Sequence, residues 1–218
     1  MAQVAGPTAA LAGVPAGLQA QGVWSGRRQI FVRFAAEAET ATMYTADALA
    51  NELRRSTSRS SYHSISISGR DPLANVDYLL AAFAKPPVDL PIMLDTDGQR
   101  PEAISTLKKL VGLTQVTLDG NSLDAATERG LSTLHAAAEA GMQHALVLCS
   151  SEQSSDAQLL RIVEQARGVS GATQIVIHPP PGVPVDRDRR WMTLLERAAA
   201  LHRDVRFALK LPPPTGMR

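Results

Sequence analysis

Short runs of β-branched and aliphatic residues alternate along the whole chain with longer stretches in which apolar positions recur every three or four residues. The short runs predict buried strands at residues 29–34, 64–68, 91–95, 115–118, 145–149, 173–178 and 205–209. The longer stretches predict helices near 45–55, 75–84, 101–111, 124–140, 154–167 and 189–202. In the fifth of these, Leu159, Leu160, Val163 and Ala166 mark the face that packs on a sheet. Pro101 suits a first helical turn, where its missing N–H has no partner to lose, and Gly112 and Gly141 suit the ends of the third and fourth helices. Ser154 or Ser155 is placed to cap the fifth. Six βα units and one further strand give an α/β fold, a parallel sheet with outer helices. Periodicity alone leaves a full barrel, a partial barrel and a doubly wound sheet open. In each of them right-handed crossovers bring the strands' C-terminal ends to one rim, where ligand sites collect.

Polar residues at those ends supply the candidate chemistry. They are Asp71 after the second predicted strand, Asp95 and Asp97 after the third, Asp119 after the fourth, Cys149 after the fifth and His178 after the sixth. Asp95, Asp119 and His178 together would suit Mg²⁺, Mn²⁺ or Zn²⁺ and a metal-activated water, the chemistry of a hydrolase or lyase. Against this, Asp97-Gly98 and Asp119-Gly120 are ordinary turn dipeptides whose carboxylates bond nearby backbone. The metal set therefore stays an alternative, and the primary expectation is no metal. Cys149 has no histidine near it in sequence and reads as a buried strand-end thiol ahead of a nucleophile. His178 precedes Pro179, Pro180 and Pro181 and reads as a satisfied loop histidine ahead of a ligand or general base.

Composition narrows the class. With 218 residues, 44% hydrophobic and 20% charged, the chain can bury one substantial core. Residues 1–17, rich in Ala, Gly and Pro, read as a flexible lead-in, and 18–218 as a single domain. That lead-in lacks the charged start and continuous apolar stretch of a secretory signal, and no run approaches the roughly 18 apolar residues of a membrane span. Twenty-two basic and 21 acidic residues leave a net charge of +1, so no field gathers nucleic acid, and 4% aromatic content argues against a base-stacking platform. A single cysteine excludes an internal disulfide and fits a cytoplasmic protein.

The segment Gln19-Ala20-Gln21-Gly22 followed by Val23-Trp24-Ser25-Gly26-Arg27-Arg28-Gln29-Ile30-Phe31-Val32-Arg33 resembles the opening of 7-carboxy-7-deazaguanine synthases and related radical SAM enzymes, Q-G-E-G-x-x-x-G-R-x-x-F-V-R. The resemblance continues in order through His63–Leu73, similar to a strand leading into T-G-G-E-P-L, and Pro91–Gly98, similar to one ending in E-T-N-G. It covers Thr114–Gly120 and three later strands as well. It implies a partial (βα)6 TIM-like barrel of the radical SAM type. It also implies that Gln19, Gln21 and Arg33 face a pterin-like carboxylate, that Ser68, Gly69, Arg70 and Asp71 stand where the methionine end of S-adenosylmethionine is received, and that Thr96 lies on the same rim. Arg33 is equally suited to pairing with Glu37 or Glu39.

The chain departs from the family at its reactive centre. Where the family has three cysteines that hold a [4Fe–4S] cluster, this sequence has Glu37, Ala41 and Tyr44. Carboxylate, methyl and phenol do not replace thiolates. Arg70 further stands where an unhindered backbone receives S-adenosylmethionine. The expectation is a cysteine-free, non-catalytic homologue without cluster or cofactor, acting as a binding or assembly subunit with a protein partner or a second copy of itself. Two alternatives remain: non-radical, metal-dependent chemistry on the rim, and a sensor that binds a nucleoside, pterin or S-adenosylmethionine.

Overall fold

The computed structural model describes residues 6–84, 89–121 and 123–211. In chain order its strands and helices are β1 (Thr8–Gly13), β2 (Ala16–Leu18), β3 (Arg28–Phe34), β4 (Thr42–Thr45), α1 (Ala46–Arg59), β5 (Ser64–Gly69), α2 (Val76–Phe83), β6 (Ile92–Thr96), β7 (Leu113–Asp119), α3 (Leu123–Glu139), β8 (Gln143–Cys149), α4 (Asp156–Val169), β9 (Gln174–His178), α5 (Arg189–Leu201) and β10 (Val205–Phe207). Short 3₁₀ turns at Pro72–Asn75 and Pro101–Leu107 complete the set.

One sheet contains all ten strands, in the order β10-β9-β8-β7-β6-β5-β3-β1-β4, with β2 also paired to β3. From β3 to β10 every neighbouring pair is parallel. The order never reverses along these strands, so there is no switch point of the kind a doubly wound sheet has. The path ends at β4 and β10 without joining, which makes an open, partial (βα) barrel rather than a closed one.

Side chains alternate across this sheet as the pleat requires. Ile30, Val32, Phe34, Ile65, Ile67, Ile92 and Leu94 pack outward with Leu49 and Leu53 of α1 and Leu79 of α2. Val116, Leu118, Leu146, Leu148, Ile175 and Ile177 do the same with Leu159, Ile162 and Val163 of α4 and Trp191 and Leu194 of α5. Caps fix the helix starts: the Thr45 hydroxyl accepts from Ala48 N–H at 3.1 Å and the Ser155 hydroxyl from Gln158 N–H at 3.1 Å.

Two expectations are corrected. Residues 8–17, expected within a flexible lead-in, form β1 and most of β2, while residues 1–5 lie outside the described residues. Their Ala, Gly and Pro content has low strand propensity, but pairing with β3 and β4 buries Ala9 and Leu11 and overrides it. The helix expected over 101–111 is a 3₁₀ turn ending at Leu107, because Gly112 N–H already donates to Ile92 O at 2.9 Å and draws the chain into β7. Gly112 thus opens a strand instead of ending a helix. Gly141, at φ +71°, does follow α3 in the left-handed conformation expected of it.

Candidate functional site

The other face of the sheet is concave, and the β2–β3 connection, residues 19–27, folds across it. Val23 and Trp24 pack there against Met93, Leu113 and Ala145, and Trp24 meets His63 edge-on at 5.0 Å. The base of this segment is closed by Gln19 N–H donating to Arg27 O and Gly26 N–H donating to Gln19 O, both at 2.8 Å. Its tip is tied to three other parts of the molecule. Val23 N–H donates to the Gln115 side-chain oxygen at 3.1 Å, Gly22 N–H to His178 Nε2 at 2.9 Å, and Leu211 N–H to Ala20 O at 2.9 Å. Arg206 adds a bond to Val23 O at 3.0 Å. Gly22 is needed twice: its φ is +80°, and a β-carbon there would lie 2.0 Å from the Gln115 side-chain oxygen.

Above this segment, the ends of β7, β8 and β9 frame a cleft of about 420 Å³ with Asp119, Cys149, Ser150, His178 and Lys210 in its wall. His178 is buried and held at both nitrogens. Because Gly22 N–H can only donate, Nε2 is the acceptor, and Nδ1 carries the proton given to Ala208 O at 2.6 Å. Burial lowers its pKa below the usual 6.5, the Ala208 bond opposes this, and the Lys210 charge adds to the lowering. The ring is thus a neutral brace with no lone pair left for a metal.

Cys149 lies beside it, at 3.6 Å from the Gln21 side-chain oxygen. Burial pushes its thiol up to about 11, with Asp95 and Asp119 adding to the rise and Lys210 opposing it. A thiol so raised stays protonated and is a poor nucleophile. Asp95 accepts from Thr117 Oγ1 at 2.6 Å. Burial raises its pKa against the pull of Thr117, Gln115, Gln21 and Lys210. Asp119 accepts from Asn121 N–H at 2.9 Å, the turn bond expected of Asp119-Gly120. Among the described residues no three His, Cys, Asp or Glu side chains gather to hold a metal ion. Of the alternative metal set, His178 is engaged at both nitrogens, Asp95 accepts from Thr117 and Asp119 from Asn121 N–H.

The residues expected to bind ligand are divided. Gln21 reaches the floor below the cleft, whereas Gln19 is buried at the base of its loop with its amide nitrogen unpartnered. Arg33, Ser68, Gly69, Arg70, Asp71 and Thr96 stand on the β3–β5–β6 side. There Arg33 pairs with Glu39 at 3.1 Å, one of the two ion pairs its position suited it to. Asp71, at φ 40°, pairs with Arg100 at 2.8 Å. The Thr96 hydroxyl accepts from Gly98 N–H at 3.2 Å, and Arg70 N–H donates to Phe34 O at 3.1 Å. Gly69 lies so close to β3 that a β-carbon would be 2.2 Å from Phe34 O. Of the positions aligned with the cluster cysteines, Glu37 and Ala41 are exposed, and Tyr44 lies within β4 opposite Ala9 of β1.

Sequence reasoning missed Lys210, Gln115 and Thr117. Gln115, Thr117 and Asp119 alternate along β7, and that period of two was the signal that all three share the concave face.

No protein-family model and no curated protein matches the chain. Among solved structures it is similar to a radical SAM methyltransferase from Sphaerobacter thermophilus, at 14% sequence identity and a TM-score of 0.57, over 84% of this chain and 66% of that one. The chain thus spans just under two thirds of that protein's length. The likeness establishes the fold: an α/β partial barrel shared with a radical SAM enzyme.

Proposed function

We propose that the chain is a homologue of 7-carboxy-7-deazaguanine synthase that has lost radical chemistry and works as a binding or assembly subunit in the cytoplasm, with a protein partner or a second copy of itself. The observation that carries this reading is the segment Ala35–Thr45. At the family's three thiolate positions it offers Glu37, Ala41 and Tyr44. Its end is spent on strand β4, and Glu39 pins its start by pairing with Arg33 and accepting from Ala36 N–H. These donors do not fit a cluster that soft sulfur ligands hold. The only cysteine, Cys149, sits at the end of β8 with its thiol pushed up to about 11.

The test is reductive cleavage of S-adenosylmethionine by the purified chain after anaerobic treatment with iron, sulfide and a strong reductant. No 5′-deoxyadenosine above the protein-free background is expected; formation over many turnovers would refute the reading.

A second reading, a sensor for a small polar molecule, is favoured by the cleft at the ends of β7–β9. Calorimetric titration with a nucleoside, a pterin and S-adenosylmethionine tests it: heat that disappears in Lys210→Ala supports it, and no heat from any of the three dismisses it.

A further inference from the structure

The concave face is occupied by the chain's own segment 19–27, and on the far side of the sheet its tip is held by His178 at Gly22, by Leu211 N–H at Ala20 O and by Arg206 at Val23 O, of which only the His178 bond can be switched by a proton near neutral pH. We propose that residues 20–22 are a strap latched by His178, and that protonation of this imidazole releases the strap and opens the concave face from the rim cleft down to Gln115 and Asp95.

The geometry carries the proposal. Gly22 N–H reaches across 156 residues of sequence to His178 Nε2, and the same ring donates from Nδ1 to Ala208 O. One ring thereby ties the strap to the segment that follows β10. A protonated ring carries N–H at both positions, so Nε2 would point a donor at the Gly22 donor, and the bond becomes a repulsion. The strap can yield at its tip while its base stays put. Val23 and Trp24 remain anchored in the apolar patch of Met93, Leu113 and Ala145, and Gly22 and Gly26, both at φ +80°, flank the anchor. Once the tip lifts, Gln21 leaves Cys149, and the floor of the cleft opens.

The groups around the ring set the direction. From the segment after β10 it faces Lys210 and the Ala208 carbonyl, from β8 the Cys149 thiol, and from the strap Gly22 and Gln21; Asp119 and Asp95 lie further along, on β7 and β6. Lys210 and burial both disfavour the cation, while the Ala208 bond alone favours a ring proton. A histidine depressed in the closed form holds the strap fully above its ordinary pKa of 6.5 and loses that hold as pH falls below it.

Hydrogen exchange of the intact chain tests this, with each amide corrected for its intrinsic pH dependence and strands β7 and β8 as internal reference. Between about pH 7.5 and about pH 5, protection of peptides spanning Ala20–Val23 should fall about tenfold while the reference strands stay protected. In His178→Gln, which removes the titrating ring but leaves Asp95 and Lys210, that pH response should vanish. Unchanged protection in the natural chain would overturn the proposal without recourse to any variant. So would a loss shared with β7 and β8, or an equal loss in His178→Gln.

Discussion

The two sides of the rim are built on one sheet yet differ in what their polar groups surround. On the β3–β5–β6 side the groups are spent internally: Arg33 on Glu39, Asp71 on Arg100, the Thr96 hydroxyl on Gly98 and Gly69 against Phe34. On the β7–β9 side Asp119, Cys149, His178 and Lys210 surround a cleft. A hollow of about 470 Å³ beside the first side is lined by turn and helix residues such as Leu73, Asn75, Arg100 and Glu102, whereas the cleft of about 420 Å³ on the second is walled by the strand-end residues themselves.

Substitutions can break or sharpen this contrast. The largest effect is expected on the β3–β5–β6 side. Gly69→Ala puts a β-carbon 2.2 Å from a backbone oxygen at φ +98°, where neither neighbour can move cheaply. It should cost about 3 kcal/mol of stability in urea unfolding. Next comes Cys149 on the β7–β9 side. With its thiol raised from 9.0 to about 11, alkylation by iodoacetamide near neutral pH should run about a hundredfold slower than that of an unperturbed cysteine. A rate equal to that of a small free thiol would mean the cleft is not the buried, acidic setting described.

Smaller effects follow. Asp71→Asn keeps a residue that tolerates a left-handed backbone but removes the charge facing half-exposed Arg100; it should cost no more than about 1 kcal/mol in the same unfolding measurement. Lys210→Gln should change stability by less than about 0.5 kcal/mol. It should nevertheless move the Cys149 titration further up, because Lys210 holds that thiol down. A Cys149 titration unmoved by this substitution would remove Lys210 from the cleft's electrostatics.

Much of the fold was legible in the sequence because β-branched strands buried on both faces and amphipathic helices have different periods. Ile65 and Ile67 in β5, or Leu159 and Val163 in α4, announce their elements locally. β1 and β2 were not legible: Ala9 and Leu11 sit among alanine, glycine and proline, and only the company of β3 and β4 makes strands of them. The aspartates of the rim and the satisfied state of His178 could be read from strand ends and the prolines that follow. The partner of His178 could not, because Gly22 lies 156 residues away. Lys210 was hidden for a similar reason: it gains its place beside Cys149 and His178 only when β10 pairs with β9.

The proposal at the centre of this account is that the chain does not hold iron through sulfur, and anaerobic reconstitution with iron and sulfide followed by metal and acid-labile sulfide analysis tests it most directly. After desalting, the chain should retain iron far below one atom per polypeptide and show no cluster absorbance. About four iron atoms and four sulfides per chain, with a reducible cluster signal, would contradict it.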